Sequence, residues 1–324
     1  MTTLGSILDG ARDRQPFAGE GGRTGASFEQ AVLADSTPVI IKHITPDDWI
    51  VVVGGGVSHL ARVWETGAFE RMPASIDHTM LAVEATADGF LVVMRDVAGA
   101  VLVEGQVLSR AENRRVLESM DAMYREFWET EPIGCGVAEH VAVFSPNVLD
   151  KLGHLDTPVP ELMKRGWTMF GEVAPRDITD VMHGLIDDPT PLIAELDARP
   201  QTLTHGDLRL HNMGLTDDHV VLLDWELVVT APPAMEFGWY LIISASRIDA
   251  TREQVIDDFR EISGDRFDAR GLELGMISAL LFLGWNKAID IVEHPDEEIR
   301  AQERIDLDWW VSRVRTALET WSPL

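Results

Sequence analysis

The 324-residue sequence predicts an α+β fold in two lobes, a β-rich front third and a mainly helical remainder. Three observations carry this. The chain exceeds the roughly 250–300 residues at which a single hydrophobic core stops growing. Short β-branched runs separated by turn residues fill it as far as Val97. From residue 106 onward, apolar residues recur at helical spacing, interrupted once by a polar, strand-like segment at 201–229. The small connector AGAVLVEG then divides the chain into 1–97 and 98–324.

In order, residues 27–33 and 38–44 read as strands joined by the turn ADST. Ile50 to Val53 is another apolar β-branched run, and 58–66 has helical character. Residues 79–84 and 89–93 form a hairpin around ATADG. A long helix is expected over 106–130, with Val107, Leu108, Val116, Leu117, Met120, Met123 and Phe127 on its apolar face. Further helices are expected near 158–172, 176–198, 233–247, 251–263, 270–291 and 296–320. Short strands are expected near Leu203, Met213 and Val221. No internal repeat is visible.

Composition narrows the function. Apolar residues make up 45% and charged residues 25% of the chain, as in ordinary globular proteins. The net charge of -27 argues against nucleic acid, whose phosphates need Lys and Arg. It permits a cationic small-molecule partner, drawn to an acidic cleft, or simply maintains solubility. The single cysteine, Cys135, excludes an intrachain disulfide. Flanked by glycines, it reads as a small buried hydrophobe rather than a nucleophile. The N-terminus lacks an apolar signal core, and the longest apolar candidate, MISALLFLGW, falls short of a membrane span. A cytoplasmic protein with no membrane partner is the expectation.

The chemistry concentrates in THGDLRLHNMG and in VVLLDWE, which begins at Val220. Asp207 follows His205 by two residues, Asn212 follows Asp207 by five, and Asp224 ends a buried apolar run. One Asp with access to a hydroxyl can accept or orient its proton. An Asn oxygen and a second Asp are hard ligands suited to Mg²⁺. That is the division of labour in phosphoryl transfer, where positioning and charge neutralisation do most of the work. A rival reading takes His205, Asp207, His211 and Asp224 as transition-metal ligands of a hydrolase, but leaves the Asn and DWE spacing unexplained. IVVVGGGVSHLARVW resembles the opening of a dinucleotide-binding unit. His59, however, holds the third glycine position and no βαβα alternation follows, so a tight turn is preferred.

HGDLRLHN followed by LLDWE resembles the catalytic and metal loops of the aminoglycoside phosphotransferase and choline kinase-like family, which shares the protein-kinase fold. The resemblance implies a bilobal kinase-like architecture, with a nucleotide-binding N-lobe and a C-lobe carrying the catalytic loop and acceptor pocket. It implies Asp207 as catalytic base, Asn212 and Asp224 as Mg²⁺ ligands, and His205 as a brace. Lys42, a lone cation in PVIIKHI, would grip the nucleotide phosphates, with Glu65 or Glu70 as its acidic partner. Backbone groups of Arg95, Asp96 and Val97 would meet adenine, bordered by Met94. Gly21, Gly22 and Gly25 would cover the phosphates, although they depart from the G-x-G-x-x-G pattern. Glu236 stands where the family has an Asp after a Pro-containing turn, while Trp239 and Tyr240 read as core. Trp285, Asn286, Asp290, Asp306, Asp308, Trp309 and Trp310 either line an acceptor pocket or lie on amphipathic helices. The function implied is an ATP- and Mg²⁺-dependent O-phosphotransferase acting on a small hydroxylated molecule: an antibiotic, sugar or amino alcohol. The alternative is a catalytically silent nucleotide-binding protein on the same fold.

Overall fold

A computed structural model describes residues 7–17, 26–103, 105–150 and 157–321. The expected phosphate-covering glycines, Gly21, Gly22 and Gly25, lie outside the described residues. The chain opens with a five-stranded antiparallel sheet. Its strands are β1 (Arg12–Phe17), β2 (Ser27–Val32), β3 (Pro38–Ile44) and, after an insertion, a hairpin. The insertion holds helix α1 (Trp49–Val53), helix α2 (His59–Glu65) and the short strand β4 (Ile76–Asp77). The hairpin is β5 (Met80–Thr86) and β6 (Gly89–Arg95), and the spatial order is β1-β2-β3-β6-β5.

The period-2 alternation of β3 splits the sheet into two faces. Val39 and Ile41 join Ala31, Ala82 and Val93 in a small core of the sheet's own. Lys42 and Ile44 face the other way. Lys42 stands opposite Val92, which with Ile44 belongs to the main core shared with the helices. This register turns the one lysine of β3 toward the rest of the molecule.

The run at Ile50 is a helix, not a strand. A short apolar run is ambiguous in sequence, and here the cap decides. Asp48 Oδ1 accepts from the Ile50 N–H at 2.9 Å, and Gly54, Gly55 and Gly56 end the turn. Helix, glycine turn and helix therefore replace the strand-turn-helix that a dinucleotide-binding unit needs.

The connector past Val97 is stitched to the polar segment 201–229. Leu102 N–H donates to Met213 O at 2.9 Å, and Leu215 N–H to Ala100 O at 3.1 Å. Any side chain at Gly214 would fail here, since a Cβ would sit 2.4 Å from Ala100 O. Strand β4 also pairs in parallel with residues 220–221 of the back lobe. The main apolar core runs on both sides of residue 97, from Ile44 and Trp49 to Ala317.

Next come β7 (Leu108–Ser109) and helix α3 (Arg110–Glu126). The helix starts later than the periodicity suggests. Ser109 and Glu112 form a capping box, and Val107 is 55% exposed rather than core. Two short helices that the pattern does not reveal follow, α4 (Val137–Val143) and α5 (Pro146–Asp150), and then α6 (Val159–Val173). The stretch 176–198 is two helices, α7 (Arg176–Asp187) and α8 (Thr190–Asp197), because Pro189 cannot continue the first. The polar insertion supplies β8 (Thr202–Thr204), β9 (Met213–Leu215), β10 (Val220–Leu222) and β11 (Val229–Ala231). The remaining elements are α9 (Pro233–Ser244), β12 (Ile248–Asp249), α10 (Arg252–Ser263), α11 (Ala269–Glu293) and α12 (Glu297–Leu318). Among the described residues α11 alone is long and apolar enough to cross a membrane, and 78% of its most apolar window is buried within the protein.

Candidate active site

Two short antiparallel ladders with a loop between them form the polar segment, the second extended by β4. β8 pairs with β11, and β9 with β10. Leu208, Leu210 and Met213 are buried and anchor the loop. Gly206 is obligatory at its start. Its φ is +79°, and a Cβ would lie 1.8 Å from Leu227 O.

Buried groups brace this loop from below. His205 Nδ1 accepts from the Asp207 N–H at 3.3 Å, so Nε2 carries the proton and donates to Leu223 O at 2.9 Å. Burial holds the imidazole down, at a pKa of about 4, and hence neutral. Glu236, at the head of α9, accepts from the Gly206 N–H at 2.7 Å and from the Tyr124 hydroxyl at 2.6 Å. The longer Glu thus keeps a bond to the loop backbone. Burial raises its pKa to about 7.

Above the brace, Asp207 is 6% exposed. Asn212 Nδ2 donates to Asp207 Oδ2 at 2.8 Å and to its carbonyl at 3.1 Å, and Arg209 Nε lies 3.3 Å from the same Oδ2. Oδ1 has no hydrogen-bond partner among the described residues, and the same is true of the Trp239 indole Nε1. Trp239 is buried, as its core reading required, and its N–H, although outside good hydrogen-bond geometry, lies near enough to favour the ionised Asp207 carboxylate. Burial raises the Asp207 pKa to about 6, against the pull of Arg209.

Asp224 leaves β10 in a left-handed conformation (φ 61°, ψ 63°), and Trp225 wedges into the core against Phe69 and His205. The turn brings Asp224 Oδ1 to 3.0 Å from Lys42 Nζ, and Glu226 pairs with the same ammonium. Burial pulls Lys42 down, but the two carboxylates outweigh it and hold the ammonium above its ordinary range. Glu65 and Glu70 are both exposed and are not its partners. Residues from opposite ends of the sequence thus meet at one point.

The residues fit Mg²⁺ by their donor chemistry. Both groups facing Asn212 Nδ2 are acceptors, which fixes the amide's orientation and makes its oxygen the atom it can offer a cation. Asp224 keeps one carboxylate oxygen off Lys42, and its side chain is 38% exposed. Two hard oxygens suit an ion that completes its shell with phosphate and water. The transition-metal reading fails, because protein groups engage both His205 nitrogens. No cluster of three His, Cys, Asp or Glu able to hold a metal occurs among the described residues.

At the end of β6, Met94 to Val97 form the passage between the lobes. The Arg95 and Asp96 amides are already taken, by Thr79 O at 3.0 Å and Pro38 O at 2.9 Å. Of the three amides expected to face a base, only that of Val97 has no such bond among the described residues. Cys135 is buried, donates to Val228 O and has its thiol pushed up to about 12 by burial, so it is no nucleophile. The back-helix aromatics and acids do not converge on the loop. Trp285 and Trp310 are core, Asp306 sits in an ion network with Arg252 and Lys287, and Asn286 bonds Asp290. They serve helix packing and ion pairing, with Asp306 buried rather than on a solvated acidic face.

A strand-borne lysine, a braced aspartate and an asparagine-aspartate pair below a five-stranded lobe define the protein-kinase-like class. Residues 71–272 match the phosphotransferase enzyme family, APH, and the chain belongs to that family. Among solved structures it resembles a spectinomycin phosphotransferase in complex with ADP and spectinomycin (12% identity, TM-score 0.52, 94% of this chain and 92% of that one). It also resembles the choline kinase LicA from Streptococcus pneumoniae (9% identity, TM-score 0.53, 93% and 94%). At such identities the likeness is one of fold. No curated protein matches the chain in sequence.

Proposed function

We propose that the protein is an ATP- and Mg²⁺-dependent O-phosphotransferase that phosphorylates a hydroxyl of a small molecule. In this reading residues 1–97 serve as the nucleotide lobe and 98–324 as the acceptor lobe. The observation that carries it is Asp207: a buried carboxylate with Oδ2 tethered to Asn212 and Oδ1 unpartnered. A buried carboxylate tethered at one oxygen, with no well-formed hydrogen bond on the other, is set to receive a proton.

With a pKa near 6, Asp207 is mainly ionised at neutral pH yet basic enough to accept a hydrogen bond from an alcohol and take its proton as the phosphoryl bond forms. The tether aims Oδ1, converting a chance encounter into an oriented one. Lys42 places an ammonium where phosphate oxygens would lie, and Asn212 and Asp224 supply the oxygens for a Mg²⁺ ion. Mg²⁺ bound there would neutralise charge on the transferring group. Val97 offers an amide to the base. The acceptor class rests on the family, whose members phosphorylate antibiotics, amino alcohols and sugars, and on the acidic chain, which favours a cationic acceptor.

The test is ADP release, in a coupled assay, over a panel of hydroxylated antibiotics, amino alcohols and sugars, with Asp207→Asn as control. Turnover that survives Asp207→Asn would refute this mechanism. Nucleotide binding without turnover on any acceptor would favour the silent alternative.

A further inference from the structure

We propose that Glu226, rather than an acid on the helix following β3, is the buried carboxylate that orients Lys42. The proposal rests on the kinase reading above and assigns a positioning residue within it.

The helix offers Lys42 no partner, for a structural reason. α2 turns His59, Leu60, Ala61 and Val63 inward, so no acid lies on its buried face. Glu65 ends that helix exposed, and Glu70 is exposed in the turn beyond it. Asp48, at the head of α1, is buried, but its Oδ1 is spent on the Ile50 N–H and it makes no ion pair with Lys42 among the described residues.

The D-W-E turn supplies what the helix lacks. Trp225 points into the core, and the tight turn after the left-handed Asp224 brings the carboxylates on either side of it to one ammonium. Their surroundings differ. The side chains of Lys42 and Glu226 are 7% and 6% exposed, whereas that of Asp224 is 38% exposed. Glu226 therefore lies in the dry wall with the lysine, and Asp224 at the open edge. Removing the partner of a buried ammonium leaves an uncompensated charge, which costs more than the buried pair itself. Asp224 is thus the carboxylate that can change partners when nucleotide arrives, while Glu226 keeps Lys42 charged and extended.

The experiment is calorimetric binding of ADP with Mg²⁺ to the full chain. Glu226→Gln is expected to weaken binding tenfold or more, while Glu65→Gln and Glu70→Gln leave it unchanged. In a Lys42→Met background, Glu226→Gln should add no further loss, because it acts through the lysine. Additive losses would mean that Glu226 is merely structural and would overturn the proposal. Undiminished binding by Glu226→Gln would overturn it too, with the kinase reading intact. Wild-type protein that binds no nucleotide would overturn both. If Glu226→Gln does not fold, the two exposed variants decide: unchanged binding supports the proposal, and a tenfold loss in either one refutes it.

Discussion

The two sides of the catalytic loop obey opposite rules. Beneath it, His205, Gly206, Glu236 and Tyr124 are buried and each is bonded, leaving the backbone one conformation. Above it, Asp207 Oδ1 and the Trp239 N–H are equally buried and have no hydrogen-bond partner among the described residues. An unpaired buried polar group costs roughly 1–3 kcal/mol, so folding alone does not favour that upper edge. The difference is the one the proposed function requires: the lower groups fix geometry, and the upper ones are left for a ligand to satisfy.

The largest expected effect tests the upper edge. Asp207→Asn keeps the shape and removes the base, so turnover should fall by about 10²–10⁴-fold, in the range of general-base catalysis. Binding of ADP with Mg²⁺ should hold, as calorimetry would show. Retained turnover would mean that the open oxygen has no chemical task. The lower side should answer differently. Tyr124→Phe strands Glu236 Oε2 in the interior, which should lower stability by about 1–3 kcal/mol in denaturant unfolding. A neutral outcome would mean that the brace is not under load and would weaken the contrast.

The contrast was only half visible in the sequence. Asp207, Asn212, Asp224 and Lys42 could be named because HGDLRLHN, LLDWE and PVIIKHI resemble the loops and strand of the family. Strands β2, β3, β5 and β6 were legible from β-branched runs bounded by turn residues. The rest depended on contacts that no spacing encodes. Tyr124 and Glu236 are 112 residues apart, and Trp239 reads as core because it is core, with one atom doing something else. Glu65 and Glu70 were plausible partners for Lys42 until the helix turned them to solvent. Trp49–Val53 shows the local limit, since its β-branched run forms a helix once Asp48 caps it.

A pH profile sharpens the comparison by titrating both sides at once. The upper carboxylate must be ionised to work, so kcat/KM should rise with pH to a plateau above about 6, and lie about tenfold lower one unit below that point. Acid unfolding should not mimic this. Asp207 and Glu236 have folded pKa values raised by burial to about 6 and about 7, so the stability they contribute is present at low pH and lost as pH rises through those values. Burial depresses His205 and His140 to about 4 and about 3, so their contribution is present above the ordinary histidine value and lost as pH falls toward them. Between pH 5 and 6.5 the two trends oppose each other. The fold, followed by circular dichroism, should stay intact while activity falls. Loss of structure in step with activity would remove the assignment to Asp207.

The smallest effect isolates a single proton on the upper edge. Trp239→Phe keeps an aromatic ring against Phe144 and Phe282 and deletes only the indole N–H. That N–H favours the ionised form of Asp207, so its removal should shift the midpoint of the kcat/KM profile upward, with little change in the plateau and less than about 1.5 kcal/mol in stability. The direction is the discriminating result. An upward shift means that the indole N–H acts directly on the Asp207 carboxylate. A downward or absent shift would return Trp239 to the core and leave Asp207 as the sole open group of the loop.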